Sequence, residues 1–232
     1  MKKNDEIILG IIPARGGSKG IPRKNLIKLG SIPLVAHTIN HARKSKYLTH
    51  YLVSSEDEQI RKVSENYGAQ TMVRPKKYSH DKILQEVDLL LVWTVRKFEK
   101  ENNLKVDIVV LLYPTAPLRD VGSIDKCISM VKSKKYDSAL SVYFDTRYLW
   151  KKNKKNFIFP TNYNPNKRMP RQKENWNQYA ENKAIYTMTR EVLFKYGRIG
   201  KKCGFVEMEK WRSIDIDTYE DLKIAQALIK KT

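Results

Sequence analysis

Residues 7–25, IILGIIPARGGSKGIPRKN, constrain the fold of this chain more than any other stretch. Ile7, Ile8, Leu9, Ile11 and Ile12 make a short, nearly continuous apolar run, the pattern of a strand buried on both faces of a parallel sheet. Pro13 ends the run, and Gly16, Gly17 and Gly20 then allow backbone angles and close approaches that side chains forbid. Arg15, Lys19, Arg23 and Lys24 surround these glycines with positive charge. Backbone N–H groups beside basic side chains form a polyanion cradle at the carboxyl end of a strand, where open α/β sheets bind ligands. A nucleoside triphosphate is the expected guest. Neither familiar phosphate motif is present: Ser18-Lys19-Gly20 lacks the GKS or GKT order of a Walker A loop, and GGSKG does not space its glycines as GxGxxG. An ordinary glycine-rich turn is the alternative reading.

Downstream, residues 33–44 read as a helix that starts at a proline, and residues 48–55 as a second strand. Ser54 or Ser55 is placed to cap a helix running to Tyr67, and residues 69–73 give a third strand. Ile83, Leu84, Val87, Leu90, Leu91, Val95 and Phe98 recur at helical spacing, and residues 106–112 form another buried strand. Asp120 or Ser123 can start a helix to about Lys134, before a strand over 137–143. Strands alternating with helices predict an α/β, Rossmann-like, mostly parallel sheet with helices on both faces. The 232 residues suit one such domain. From 145 to 178 the pattern breaks into Lys, Asn, Pro and aromatics, too long for a routine connection. Tyr148, Trp150, Phe157 and Trp176 have no evident home in the α/β core, which suggests an interface.

Several blocks resemble the acylneuraminate cytidylyltransferases, the CMP-sialic acid synthetases. IPARGGSKGIPRKN resembles their N-terminal signature; YPTAPLRD resembles QPTSPLR, with Tyr113 and Ala116 replacing Gln and Ser; RMPRQKE carries their PRQ motif. AENKAIY resembles NGAIY with Lys183 in place of Gly, and SIDID stands at 213–217. The resemblance, over residues 7 to about 228, implies a nucleotide-diphospho-sugar transferase fold. Residues 145–178 then form a small dimerisation lobe inserted in the single domain, 1–232, of a homodimer. It implies transfer of CMP from CTP to the anomeric hydroxyl of a nonulosonic acid, a 2-keto-3-deoxy sugar acid. Arg15, Gly16, Gly17, Ser18, Lys24, Asn25, Arg74, Asp81 and Gln85 would hold the nucleotide, and Tyr113, Thr115, Arg171, Gln172 and Asn182 the sugar. Arg15, Lys24 and Asp215 would be catalytic. CMP-Kdo synthetase is the nearest rival reading. The departures at Tyr113, Ala116 and Lys183 predict that N-acetylneuraminic acid is not the preferred sugar.

Asp215 and Asp217 alternate with isoleucines, so an extended chain puts both carboxylates on one face. Two hard oxygen donors can hold Mg²⁺, or Mn²⁺ in its place, against a triphosphate, the role the resemblance gives the pair. Asp217 followed by Glu220 also reads as a helix cap. His37 and His41 have a one-turn metal spacing but no further ligand motif, so helix packing is the expected role.

The net charge of +20 raises nucleic acid as a partner, and a basic RNA-binding protein with an α/β fold is the reading of a different class. Lysines scattered over nearly every segment, without an RNA-binding signature, favour a solvated surface and no nucleic-acid role. No segment is apolar enough for a membrane span, the N-terminus does not read as a cleaved signal, and Cys127 and Cys203 read as reduced thiols. Cytoplasmic residence is expected.

Overall fold

In the computed structural model, residues 6–78, 86–170 and 176–229 are described. β1 (Ile8–Pro13) lies inside a seven-stranded sheet, with Ile8 and Ile12 in one apolar layer and Leu9 and Ile11 in the other. That alternation follows from the two-residue period of a strand. β1 pairs in parallel with β4 (His50–Ser55) on one side and β6 (Ile108–Leu112) on the other. β5 (Gln70–Val73) continues in parallel beyond β4. Beyond β6 lies β10 (Tyr179–Thr189), antiparallel to β6 and to β7 (Ser138–Phe144), and β11 (Cys203–Glu207) closes that edge parallel to β7. The order is β5-β4-β1-β6-β10-β7-β11. The chain therefore builds outward from β1 in one direction, then returns to build in the other. Loops leaving β1 and β6 diverge at this reversal and open a crevice at the strands' carboxyl ends.

Helices cover both faces. α1 (Leu34–Lys44), α2 (Glu58–Asn66) and α4 (Val121–Lys132) bury Val35, Ile39, Ile60, Ile124 and Ile128 in one layer. α3 (Glu86–Asn102) and α5 (Arg190–Tyr196) bury Leu91, Val95, Phe98 and Val192 in the other. A third cluster joins Ile21 of the glycine-rich loop, Leu118 after β6, Ile216 between the two aspartates, and Leu222 and Ala225 of α6 (Tyr219–Leu228). Burial of Ile21 and Ile216, worth about 1.5–3 kcal/mol each, fastens three sequence-distant loops to one another.

Two local expectations are corrected. The cap of α2 is Asp57, whose carboxylate accepts from the Ile60 amide at 3.0 Å; Ser55 instead accepts from the Asp57 amide. The cap of α6 is Thr218, in a reciprocal box with Asp221, so neither Asp217 nor Glu220 is consumed there. Ile214 is extended, and residues 214–217 join no sheet as they lead from a 3-10 turn (Lys210–Ser213) towards α6. The expected cap at Asp120 is present, accepting from the Ser123 amide at 2.7 Å. α5 and β11 carried no expectation from sequence.

β2 (Lys28–Leu29) and β3 (Ile32–Pro33) form a small hairpin after the glycine-rich loop. A second hairpin, β8 (Trp150–Lys152) with β9 (Ile158–Pro160), projects from the chain between β7 and β10. Tyr148 packs on Tyr163 and Trp176, with ring centres 4.4 and 5.2 Å apart, and Arg168 covers the Tyr148 ring. Trp176 is thus buried within this lobe and not in the α/β core, whereas Phe157 and Ile158 are exposed. Among the described residues no helix is long and apolar enough to cross a membrane, and Cys127 and Cys203 are free thiols.

Candidate active site

A cavity of about 690 Å³ occupies the crevice between β1 and β6. The loop after β1 contributes Arg15, Ser18, Lys19, Gly20, Lys24 and Asn25; the end of β5 contributes Arg74; the loop after β6 contributes Tyr113, Pro114 and Thr115. Glu86 and Val87 come from α3, Glu181, Lys183 and Tyr186 from β10, and Arg198, Asp215 and Asp217 from the C-terminal third. The walls hold six basic side chains, Arg15, Lys19, Lys24, Arg74, Lys183 and Arg198, against four carboxylates, Glu86, Glu181, Asp215 and Asp217. Such a concave, cation-rich space focuses positive potential on an anionic guest.

The basic loop is fixed from two sides. Asn25 Nδ2 donates to the Arg15 carbonyl at 2.9 Å, closing the loop on itself, and Gly16 N donates to Glu56 Oε1 at 2.8 Å. Lys24 is buried, and its Nζ donates to the Ile216 carbonyl at 2.6 Å and to Asp217 Oδ1 at 2.8 Å. The loop's most buried cation is therefore positioned by the C-terminal aspartate segment. Arg74 is also buried, between Glu56 at 3.9 Å and Glu86 at 4.0 Å, and burial lowers its pKa from the ordinary guanidinium value.

Asp215 and Asp217 both face the cavity while Ile216, between them, is fully buried and donates its amide to the Thr115 carbonyl at 2.7 Å. Asp215 Oδ1 is buried without a hydrogen-bond partner; Asp215 Oδ2 accepts from Lys183 Nζ at 3.0 Å. An orphaned carboxylate oxygen beside a second carboxylate fits Mg²⁺, which is commonly held by one or two carboxylates plus phosphate oxygens and water. Among the described residues no cluster of three or more His, Cys, Asp or Glu side chains forms a self-sufficient metal centre.

A second group of lining residues is built around Arg198. Its Nε meets Asp88 Oδ1 at 2.7 Å, its Nη1 donates to the Tyr113 hydroxyl at 3.2 Å, and its guanidinium lies over the Tyr186 ring at 5.3 Å. Tyr186 Oη donates to Glu181 Oε1. Burial raises the pKa of both phenols, so they remain protonated donors at neutral pH. Arg198 and the supporting Asp88 carried no sequence motif, and Glu181 and Tyr186 lie in the AENKAIY block without having been expected at the site; chain topology brings the four together.

Of the residues expected at the site, Arg15, Ser18, Lys24, Asn25, Arg74, Tyr113, Thr115, Asp215 and Asp217 line one cavity. Gly16 and Gly17 are not among its lining residues. Asn182, expected to meet the sugar, is buried and spends its amide on Ser141, the Ala184 amide and Ser213. It holds β10 to its neighbours instead. Ala116 is likewise buried away from the cavity. Asp81, Gln85, Arg171 and Gln172 lie outside the described residues. His37 and His41 line a separate cavity of about 330 Å³ with Lys44, Arg119 and Arg212. Burial, then the charge of Arg119, lowers the His41 pKa to about 3, so its ring is neutral and packed.

A family model described as cytidylyltransferase matches residues 9–231. The chain is 29% identical over 228 residues to N-acylneuraminate cytidylyltransferase A of Danio rerio, covering 97% of this chain and 51% of that one. It thus spans about half the length of that relative. It is 30% identical over 227 residues to a pseudaminic acid cytidylyltransferase of Campylobacter jejuni, covering 96% of each chain. Its fold matches a CMP:2-keto-3-deoxy-manno-octonic acid synthetase complexed with CTP, with a TM-score of 0.70 and 16% identity over 97% of this chain and 99% of that one. These matches agree with the cavity at the sheet's reversal and the basic loop after β1: the chain belongs to the cytidylyltransferase family.

Proposed function

We propose that this chain transfers CMP from CTP to the anomeric hydroxyl of a nonulosonic sugar acid, releasing pyrophosphate. The observation that carries the reading is the joining of Lys24 to the Asp217 segment in a cavity that Tyr113, Tyr186 and Arg198 also wall. The first group suits a triphosphate and the second a polar sugar. In the reaction the sugar oxygen bonds to the α-phosphorus as the bond to the leaving pyrophosphate breaks, and the hydroxyl proton passes to a base or to solvent. Arg15, Lys19 and Lys24 hold the phosphate oxygens and stabilise the charge that grows on them. Asp215 and Asp217 would hold Mg²⁺, which when bound supplies further charge neutralisation at the phosphates.

Tyr113 stands in the cavity wall where related segments carry Gln, so the groups offered to the sugar differ from those of an N-acetylneuraminate site. The preferred substrate is accordingly another nonulosonic acid, such as a legionaminic or pseudaminic derivative. Arg171 binds the carboxylate common to these sugars in this reading, and the lobe around β8 and β9 forms a homodimer. Lys24→Ala and Asp215→Asn test the chemistry: each should lower kcat by about 10²-fold or more, the loss of one transition-state contact. Near-normal turnover in both folded variants would overturn the reading.

A further inference from the structure

Lys183 occupies a position where the backbone is left-handed, with φ 56, inside the irregularity that shifts β10 against β7 between Glu181 and Tyr186. Glycine or asparagine is the residue this conformation favours. A lysine held there places a long cationic side chain over the aspartate pair: Nζ is 3.0 Å from Asp215 Oδ2 and 4.0 Å from Asp217 Oδ2. The side chain is half exposed, at 55%, so little packing holds it in place. Lys24, the other lysine on Asp217, differs: its side chain is only 11% exposed and also bonds the Ile216 carbonyl. One lysine is fixed and the other can leave.

We propose that Lys183 is a displaceable counter-ion of the Asp215 and Asp217 pair, which keeps the pair from taking up a divalent cation until a triphosphate enters the cavity. The proposal rests on the reading of that pair as the metal-holding residues. Two carboxylates facing one space repel each other, and the ammonium offsets this in the empty site. A divalent cation on the free Oδ1 of Asp215 must sit beside this ammonium, held by Oδ2 of the same carboxylate, and is opposed by its charge. The triphosphate offers Lys183 other oxygens, so nucleotide and cation each favour the binding of the other, as linkage requires. The cost of an early cation is electrostatic and does not depend on the sugar.

Binding of Mn²⁺ to the nucleotide-free protein, read from loss of the free-ion electron paramagnetic resonance signal, tests this without turnover. Lys183→Gly and Lys183→Asn, both suited to the left-handed backbone, should bind Mn²⁺ about tenfold more tightly than wild type. Lys183→Arg, which keeps the charge, should bind as weakly as wild type. A non-hydrolysable CTP analogue should raise Mn²⁺ affinity more in wild type than in Lys183→Gly. Asp215→Asn, added to Lys183→Gly, should abolish the gain. If neither Lys183 variant binds more tightly while Asp215→Asn still weakens binding, the pair holds metal and the counter-ion role is wrong. If Asp215→Asn changes nothing in any background, the metal reading of the pair fails and the proposal fails with it.

Discussion

The backbone of Gly20 lies so close to Asp217 that a Cβ at position 20 would stand 2.2 Å from the Asp217 carbonyl oxygen. The basic loop and the aspartate segment are thus packed backbone to backbone, 197 positions apart in sequence. Gly20→Ala should push the two apart and break the Lys24 to Asp217 contact of 2.8 Å. Turnover should fall about 10²-fold, the scale of a misplaced transition-state contact, with the sheet intact by circular dichroism. Wild-type turnover would show that this close packing has no catalytic consequence.

Arg198 is clamped by Asp88 and bonded to Tyr113 in the cavity wall. Arg198→Ala should raise KM for the sugar acid by at least tenfold, a loss of about 1.4 kcal/mol, while KM for CTP changes little. Asp88→Asn should show the same pattern more weakly, since it only orients the guanidinium. A loss confined to CTP binding would place Arg198 in the wrong half of the site.

His41 is half-buried near Arg119, His37, Lys44 and Asp120, and removal of its ring from water lowers its pKa to about 3 from an ordinary 6.5. The unfolded chain therefore takes up a proton that the folded chain refuses as pH drops below 6.5. This group should remove stability by up to about 1.4 kcal/mol per pH unit between those two values and nothing above the upper one. Denaturant titrations at several pH values check the slope, and His41→Gln should lessen it. An identical slope in both proteins would assign the acid sensitivity to other groups.

Phe157 and Ile158 are 69% and 63% exposed on the β8–β9 hairpin, beside exposed Trp150 and Phe159. An apolar patch of this kind on a projecting hairpin marks an interface. Light scattering should give about twice the chain mass, and Phe157→Asp with Ile158→Asp should halve it. A strict monomer with full activity would refute the homodimer.

What the sequence made legible was local. The apolar run of β1, the basic loop after it and the alternating aspartates are contiguous signals; the structure buries the first in the core and brings the other two to one cavity. Asp57 replaced Ser55 as a cap because a strand end and its following turn can each supply the oxygen, and only the backbone decides between them. Asn182 lies within a family-like block yet serves as scaffold, since a motif preserves strand registry as readily as substrate contacts. Arg198, Glu181 and Asp88 were invisible because no spacing relates them. They meet through β10, which runs antiparallel between β6 and β7, and through the turn between α5 and β11.

Pyrophosphate release from CTP, UTP, ATP and GTP across purified nonulosonic acids and Kdo, with Mg²⁺ present, tests the proposed transfer most directly. Release should require both CTP and a nonulosonic acid, stop with chelator, and show a higher kcat/KM for a legionaminic or pseudaminic acid than for N-acetylneuraminic acid. The highest kcat/KM with N-acetylneuraminic acid would contradict the assigned sugar preference alone. Release independent of any sugar acid, or equal with all four nucleotides, would contradict the transfer itself.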